Sequence, residues 1–398
     1  MRPATYLKQS VRELLVPPRS QLPTLDMLRT IAVSLVIFEH GWETVASLGV
    51  AYAPLVLPIY RFAWTGVDLF FILSGLLIGK QLWSELLRTG SIKVGRFLLR
   101  RGLRIWPLYF LFALLSPLLW QLPGYRWPDW VFLSNYALGG VSGGWSLSTE
   151  EHFYIVAPLA LLLVPLRGKR TMWWFAAIPI VLVAVQVVRL FAGRALLATG
   201  MNMHDTKAAI HMPFHLHNEG LLIGMLLALL WVTRPDWVLG RAGAPLTRLR
   251  AAAIGLAVLG LVLRALNPMV FAFLSLGLVY GAITFLLLDE RAQRWGFVRL
   301  RGFYTLSRLS YGMYLNHFVL VHWVEKPMAA WLPTLVPPTL ASILGLGIFF
   351  ASSIAVAAVT FVLVERPFLL VRERWLHAHA REHGQQWTGG AAAETTAA

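Results

Sequence analysis

The feature that most constrains this chain is a series of apolar segments, each long enough to cross a lipid bilayer. An α-helix needs about 20 apolar residues to do so, and we count ten such segments between polar breaks. They lie at about residues 26–47, 60–80, 102–122, 147–166, 172–192, 213–232, 251–266, 269–288, 307–324 and 340–364. Hydrophobic residues make up 57% of the sequence and charged residues only 14%, unlike a soluble domain. The sequence therefore predicts an all-α, polytopic integral membrane protein with about ten transmembrane helices.

The chain has a net charge of +16, and its basic residues are distributed according to the same segments. Basic residues cluster after every second segment and are scarce in the loops between, which is the pattern of cytoplasmic loops. Both termini are then cytoplasmic, and no nucleic-acid partner is expected. We expect residues 1–24 to be a cytoplasmic N-terminal segment and residues 25–376 to be one membrane domain. Residues 377–398 are predicted to be a disordered cytoplasmic tail, because they contain few apolar residues.

Arg29 and His40 are polar side chains inside the first apolar segment. Eleven residues turn a helix about 20° past three full turns, so both side chains project from one face, roughly 16 Å apart along the axis. Ionisable side chains at membrane depth are costly and usually serve function. The pair therefore predicts a polar passage that enters the membrane from one surface.

A basic helix leads into the third segment. Arg96, Arg100 and Arg104 recur every four residues on one face, with Arg101 beside them. Such a helix can bind lipid headgroups or simply set the topology. It can also form a cytoplasmic phosphate site, since guanidinium groups match phosphate oxygens with paired hydrogen bonds. Arg29 lies at the same membrane surface and would add to this site.

The stretch GGWSLSTEEHFY, residues 143–154, is predicted to start the fourth segment at the outer surface. Gly143 permits an irregular entry into the helix, and Glu150 shares a helix face with Tyr154. The segment is either a helix cap with solvated glutamates or part of a substrate site. In the second case the candidate substrate-binding residues are Trp145, Ser146 and Tyr154.

The stretch HMPFHLHNEGLLIG, residues 211–224, places His215, His217 and Glu219 at the outer start of the sixth segment. A metal is not expected, because the histidines fall on different faces and neither an HExxH pattern nor a cysteine is present. A polar lining for a hydroxylated substrate is favoured. Tyr314 and His317, in SYGMYLNHF, are further substrate-binding candidates, although interfacial anchoring and packing explain them equally well.

Together these motifs resemble the membrane acyltransferase-3 family, bacterial integral-membrane O-acyltransferases of surface carbohydrates and some antibiotics. The resemblance runs from about Leu25 to Pro367. It rests on six motifs in order, which are Arg29-x10-His40, GVDLFFILSGLLIG (66–79), RRGLRIWPLYF (100–110), WSLSTEEHFY (145–154), SYGMYLNH (310–317) and ERP (365–367).

The resemblance implies an acyl donor, usually acetyl-CoA, taken from the cytoplasm, and an acceptor hydroxyl at the outer face of the bacterial inner membrane. By motif position His40 resembles the catalytic histidine, Arg29 its partner and Glu150 the acidic residue. The basic cytoplasmic motif, which would bind the acyl-CoA as a substrate and not as a tightly held cofactor, corresponds to Arg100, Arg101 and Arg104. One departure concerns the acceptor, because His215-x-His217-x-Glu219 stands where family members often carry His-x-Arg-x-Asp.

The chemistry of these residues agrees with that assignment. The pantetheine arm of CoA is about 15–20 Å long, comparable with the axial separation of Arg29 and His40. A neutral imidazole can take the proton from an acceptor hydroxyl. A carboxylate would orient the imidazole or position the acceptor, with Glu150 as the first candidate and Glu39 or Asp68 as the others. Direct transfer and an acyl-histidine intermediate both stay open.

Other functions stay open as well. The acceptor can be an extracytoplasmic or lipid-linked carbohydrate, or else a macrolide or another small hydroxylated molecule. Intramembrane His, Glu and Arg residues also build proton relays, so a proton-coupled transporter is the alternative from another class. The lack of an internal repeat counts against a transporter. An interaction scaffold would leave Arg29 and His40 unexplained. Membrane lipids are expected partners in every case.

Overall fold

The computed structural model describes residues 3–18, 22–46, 56–121, 124–164 and 168–382, and within these ranges every regular element is helical. The predicted all-α class is confirmed. The α-helices are α1 (Pro3–Leu15), α2 (Pro23–Ala46), α3 (Val56–Ala63), α4 (Gly66–Thr89), α5 (Val94–Leu119), α6 (Trp127–Trp130), α7 (Gly144–Leu163), α8 (Trp174–Ala198), α9 (Met203–His211), α10 (Glu219–Thr233), α11 (Pro235–Val238), α12 (Ala244–Leu266), α13 (Pro268–Leu287), α14 (Arg301–Leu320), α15 (Lys326–Trp331), α16 (Pro338–Thr360) and α17 (Arg366–Glu382). Short π-helical turns at Val321–Glu325 and Phe361–Glu365 directly follow α14 and α16.

Six helical stretches in the described residues are long and apolar enough to cross a membrane, and they contain α4, α5, α8, α12, α13 and α16. The other four predicted spans fall on α2, α7, α10 and α14. Helix α10 has only 15 residues, and the other three carry most of the polar residues singled out above. The count of ten spans and the cytoplasmic position of both termini therefore stay predictions.

Helix α4 lies at the centre of the bundle and packs closely against α10. Glycines on both helices make this approach possible. A Cβ atom on Gly75 would lie 2.1 Å from the carbonyl oxygen of Leu221, and one on Gly224 would lie 2.3 Å from that of Ile72. Small residues that let two backbones touch are typical of membrane helix pairs, where packing rather than hydrophobicity drives association.

Several boundaries differ from the sequence prediction for identifiable reasons. Helix α4 continues through a polar end until Gly90, whose left-handed backbone (φ +72°) and N–H bond to Leu86 O end it. Helix α5 begins at Val94, so the predicted arginine face and the third span form one continuous helix. Asn267-Pro268 in the sequence predicts a tight turn and hence a hairpin of the seventh and eighth segments. The structure confirms it, because α12 and α13 pack against each other and Asn267 caps α13 by accepting a hydrogen bond from Val270 N (3.1 Å).

The first and last helices of the described residues contact each other. Helix α1 packs beside α17, where the Arg366 guanidinium donates to the Glu13 carboxylate at 2.8 Å and 3.1 Å. The Tyr6 hydroxyl also donates to Val362 O (2.6 Å). Helix α17 runs to Glu382, so its last turns cover the first six residues of the predicted disordered tail. The remainder of that tail lies outside the described residues.

We expect Gly75→Ala to destabilise the protein. Its added methyl group would collide with the α10 backbone, and overpacking of this kind costs about 1–3 kcal/mol. The thermal midpoint in detergent, followed by fluorescence-detected size exclusion, should fall. Gly255→Ala on α12 is the matched control, because a Cβ there meets no atom within 4 Å. Equal midpoints for the two variants would contradict the proposed importance of the α4–α10 contact.

Candidate active site

A cavity lined by polar and apolar side chains lies between α2, α4, α5, α7 and α14. Its polar lining consists of Arg29, Ser74, Arg101, Arg104, Ser146, Glu150, Tyr154, Ser310, Tyr311 and Tyr314, and its walls are apolar side chains such as Phe70, Leu73 and Leu77. The cavity thus brings together residues that are far apart in sequence. Apolar walls with a few convergent polar groups are typical of sites for small organic ligands.

Three of the predicted arginines meet in this cavity. Arg29 enters from α2, while Arg101 and Arg104 enter from α5. The Arg101 guanidinium donates to Gln81 Oε1 (3.0 Å), and its Cζ lies 6.0 Å from the centre of the Tyr154 ring. Arg100 lies on the same helix but does not line the cavity. The three guanidinium groups lie together at one end of the cavity, where they can bind an anionic ligand.

Glu150 also faces this cavity, which the sequence analysis did not foresee. Its carboxylate accepts hydrogen bonds from Ser74 Oγ (2.9 Å) and from Tyr154 OH (2.6 Å), and it lies within electrostatic reach of Arg29 and Arg101. The predicted common face of Glu150 and Tyr154 is confirmed. These bonds place Glu150 among the cavity residues. Its predicted role, which is to orient the imidazole or to position the acceptor, stays a prediction.

The cavity ends at Tyr314. Its hydroxyl donates to Gly143 O (3.0 Å) and lies 2.5 Å from Ser146 Oγ. Gly143 has φ +76°, and a Cβ atom there would lie 2.8 Å from the Phe318 ring, so only glycine fits. The irregular entry into α7, predicted from the paired glycines, therefore places a backbone carbonyl where Tyr314 binds it.

His40 and His317 form an imidazole pair beyond Tyr314, with ring centres 5.0 Å apart. His317 is fully buried and lies 5.4 Å from the Tyr314 ring centre, while Phe318 packs at 4.3 Å against both imidazoles. His40 itself does not line the cavity. Arg29 and His40 were predicted to share one polar passage. In the structure Tyr314 of α14 lies between the cavity that contains Arg29 and the His40 ring.

The orientation of the His40 ring is fixed by its own helix. Nδ1 lies 2.8 Å from Val36 O, and since a carbonyl oxygen can only accept, Nδ1 carries the hydrogen. The lone pair then belongs to Nε2. His317 is held in the same way, with Nδ1 2.5 Å from Tyr314 O, and its buried Nε2 has no hydrogen-bond partner among the described residues. Helix carbonyls therefore set both tautomers, a role the sequence had given to a carboxylate.

Two of the predicted substrate residues near α10, His217 and Glu219, are buried in the protein interior. His217 is fully buried and stacks on Phe273 with ring centres 3.7 Å apart. Its Nδ1 lies 2.7 Å from His211 O and its Nε2 lies 3.0 Å from Asp68 Oδ1. With both ring nitrogens facing oxygen acceptors, His217 connects α4 to the chain before α10. This arrangement favours a structural role for His217.

Glu219 is held by Arg189, which the sequence analysis missed. The carboxylate accepts bonds from Arg189 Nη2 (2.5 Å), Gln186 Nε2 (2.9 Å) and Asn218 N (3.1 Å). Arg189 also donates to Leu216 O (2.9 Å) and Val270 O (2.6 Å), and both members of the ion pair are fully buried. A sequence signal existed, because an arginine three residues after a glutamine interrupts the apolar run of α8.

The remaining candidate residues of these two motifs differ in their exposure. Trp145 packs against His211 with ring centres 4.6 Å apart and does not line the cavity. Burial lowers the pKa of His211 to about 3, with further contributions from His217 and Arg189, so this ring is neutral at neutral pH. His215 is exposed, and its Nδ1 lies 3.0 Å from Tyr136 OH. No group of three metal-ligating side chains occurs in the described ranges.

We expect Arg189→Met to destabilise the protein by about 3–5 kcal/mol, because it leaves the Glu219 carboxylate buried without its counter-charge. The double variant Arg189→Met/Glu219→Leu should recover most of the loss. Thermal midpoints and folded yield in detergent measure both effects. Arg194→Met, at an exposed position on the same helix, is the control. Additive losses in the double variant would show that the two charges are not coupled.

Comparisons with known proteins agree with the motifs. The acyltransferase-3 family model, described as an acyltransferase domain, matches residues 22–362. Acyltransferase MdmB of Streptomyces mycarofaciens is 27% identical over 339 residues, which is 79% of this chain and 82% of that relative. No solved structure gives a significant match.

Two longer relatives match over smaller regions. A putative O-acetyltransferase of Staphylococcus aureus strain COL is 26% identical over 240 residues, or 53% of this chain and 35% of that protein. The peptidoglycan O-acetyltransferase OatA of Listeria monocytogenes is 26% identical over 167 residues, or 36% of this chain and 25% of that protein. The match to these relatives therefore spans about a third of their length or less.

Proposed function

The chain belongs to the acyltransferase-3 family, and we propose that it transfers an acyl group, acetyl in the first instance, from cytoplasmic acyl-CoA to a hydroxyl of an extracytoplasmic or lipid-linked carbohydrate. The observation that carries this proposal is the cavity itself. It begins among Arg29, Arg101 and Arg104 and ends one side chain away from the imidazole pair of His40 and His317. We place the protein in the bacterial inner membrane as a multi-pass enzyme.

The donor site is proposed at the arginine end. The CoA moiety carries phosphates that guanidinium groups bind with charge-assisted hydrogen bonds. From Arg29 to His40, eleven residues of helix advance roughly 16 Å, and the pantetheine arm spans about 15–20 Å. The thioester can thus approach His40 while the nucleotide stays at the arginines. Because Tyr314 closes the cavity, its side chain has to move aside for the thioester to reach the imidazole.

In the transfer step, His40 Nε2 accepts the proton of the acceptor hydroxyl. The resulting oxygen nucleophile attacks the thioester carbonyl, the carbon–sulfur bond breaks, and the departing thiolate of CoA takes the proton back from Nε2. The Val36 carbonyl holds the hydrogen on Nδ1 throughout, so the proton is taken up and released at Nε2. An acyl-histidine intermediate, with Nε2 as the nucleophile, uses the same geometry and remains an alternative.

Glu150 is proposed to act on the donor side of the reaction. Its hydrogen bonds to Ser74 and Tyr154 and its proximity to Arg29 and Arg101 support a role in holding the arginines in place. The exposed pair of His215 and Tyr136 is the better candidate for contact with the acceptor. A macrolide or another small hydroxylated acceptor stays an alternative, as does a proton-coupled transporter, which would release no CoA.

We expect His40→Ala to fold and insert normally while losing acyl transfer by about 10²-fold or more, the usual effect of removing a general base. CoA release in the presence of acceptor measures turnover, and donor binding by calorimetry should be unchanged. His322→Ala, at a histidine outside the cavity, serves as the control. Turnover near the wild-type rate in His40→Ala would refute its catalytic role.

Donor and acceptor should act from opposite membrane faces. In proteoliposomes of known orientation, acetyl-CoA is expected to support transfer only from the side where Arg101 and Arg104 lie, because the phosphate-binding groups are there. Glu150→Gln should raise the donor KM more than the acceptor KM. Equal activity with acetyl-CoA confined to the opposite face would overturn the arrangement.

A further inference from the structure

Helix α1 exposes a row of apolar side chains, although it precedes the first apolar segment of the sequence. Leu7, Val11 and Leu15 follow one another at intervals of four residues, and they are 54%, 44% and 49% exposed. At about 100° per residue, they share a sector of about 80° on the helix surface. A contiguous exposed apolar surface of this kind marks contact with a membrane or with another protein.

The other sides of α1 follow in an order that limits how the helix can lie. The side that packs on the protein carries Ser10 and Leu14, which are buried. Around the helix, this side is followed by the exposed apolar row, then by the exposed Lys8 and Arg12, and then by the exposed Thr5. The apolar row therefore lies directly beside the protein surface, and the two basic side chains lie along its outer edge.

The contacts of α1 place it where two membrane helices end. The Tyr304 hydroxyl donates to Glu13 O (2.9 Å), and Tyr304 lies in the first turn of α14. The Tyr6 hydroxyl donates to Val362 O (2.6 Å) in the π-helical turn that directly follows α16. Helices α14 and α16 both correspond to predicted spans, so α1 lies at the membrane surface where the first begins and the second ends.

We propose that α1 lies in the lipid interface at this surface, with its apolar row among the acyl chains and with Lys8 and Arg12 at the level of the lipid phosphates. An interfacial helix buries its apolar side at the boundary between headgroups and acyl chains. The order of the faces supports lipid as the partner, because the row continues the outer surface of the bundle and its basic edge complements phosphate. The predicted cytoplasmic segment, residues 1–24, then includes a membrane-bound helix. This inference is independent of the proposed acyl transfer.

The test measures the depth of α1 in lipid nanodiscs that hold one copy of the full chain. Because the sequence contains no cysteine, a nitroxide label can be attached at single cysteine substitutions. Power-saturation EPR then compares collisions with oxygen, which concentrates among acyl chains, with collisions with a water-soluble nickel chelate. Leu7→Cys and Val11→Cys report on the apolar row, Lys8→Cys on its basic edge and Thr5→Cys on the side farther from the membrane.

The ratio of oxygen to nickel collisions should be severalfold higher at Leu7 and Val11 than at Thr5, with Lys8 between them. Leu259→Cys, at an exposed position within α12, gives the reference for acyl chains. Labels at Leu7 and Val11 that meet nickel as often as the label at Thr5 would place the row in water and overturn the proposal. Protection from both reagents would overturn it too, because protein would then cover the row. Since two labels report on the row, the result stands if one variant fails to fold.

Discussion

Charged side chains inside an apolar helical bundle have to find partners where water is scarce, and this constraint organises the protein. Two different solutions occur. At Glu219 the charge is matched by Arg189, and every polar atom of the pair is bonded to backbone or side chain. At Arg104 several guanidinium groups gather with fewer carboxylates. The Arg189–Glu219 pair holds the chain in place. The guanidinium groups around Arg104 give the cavity a positive charge that suits an anionic ligand.

Helix α4 connects these two regions. Asp68, near its start, binds His217 and thereby the chain that leads into α10. Ser74, about two turns later, binds Glu150 in the cavity. Gly75 lies against the α10 backbone directly after Ser74. Because α4 is fixed against α10 by direct backbone contact, the Asp68–His217 contact and the cavity keep a constant relative position.

Tyr314 connects the cavity to the imidazole pair, as α4 connects the cavity to the Asp68–His217 contact. It contacts Ser146 and Gly143 on one side and the His317 ring on the other. Tyr314 therefore separates the cavity from His40, which does not line it.

The sequence by itself determined the helical class, the arginine face of α5, the α12–α13 hairpin and the family. Apolar segment length and residue periodicity are local properties, so these features can be derived without knowing which helices meet. The sequence did not determine the partners of the polar side chains. It left the role of Glu150 open between orienting the imidazole and positioning the acceptor, and it favoured His217 and Glu219 as part of a polar substrate lining. Only the tertiary structure decided that Glu150 joins Ser74, that His217 joins Asp68 and that Arg189 neutralises Glu219. These pairings depend on which helix faces lie against each other, and in a bundle of uniformly apolar helices that choice is made by close backbone packing at residues such as Gly75, which hydrophobic periodicity does not reveal.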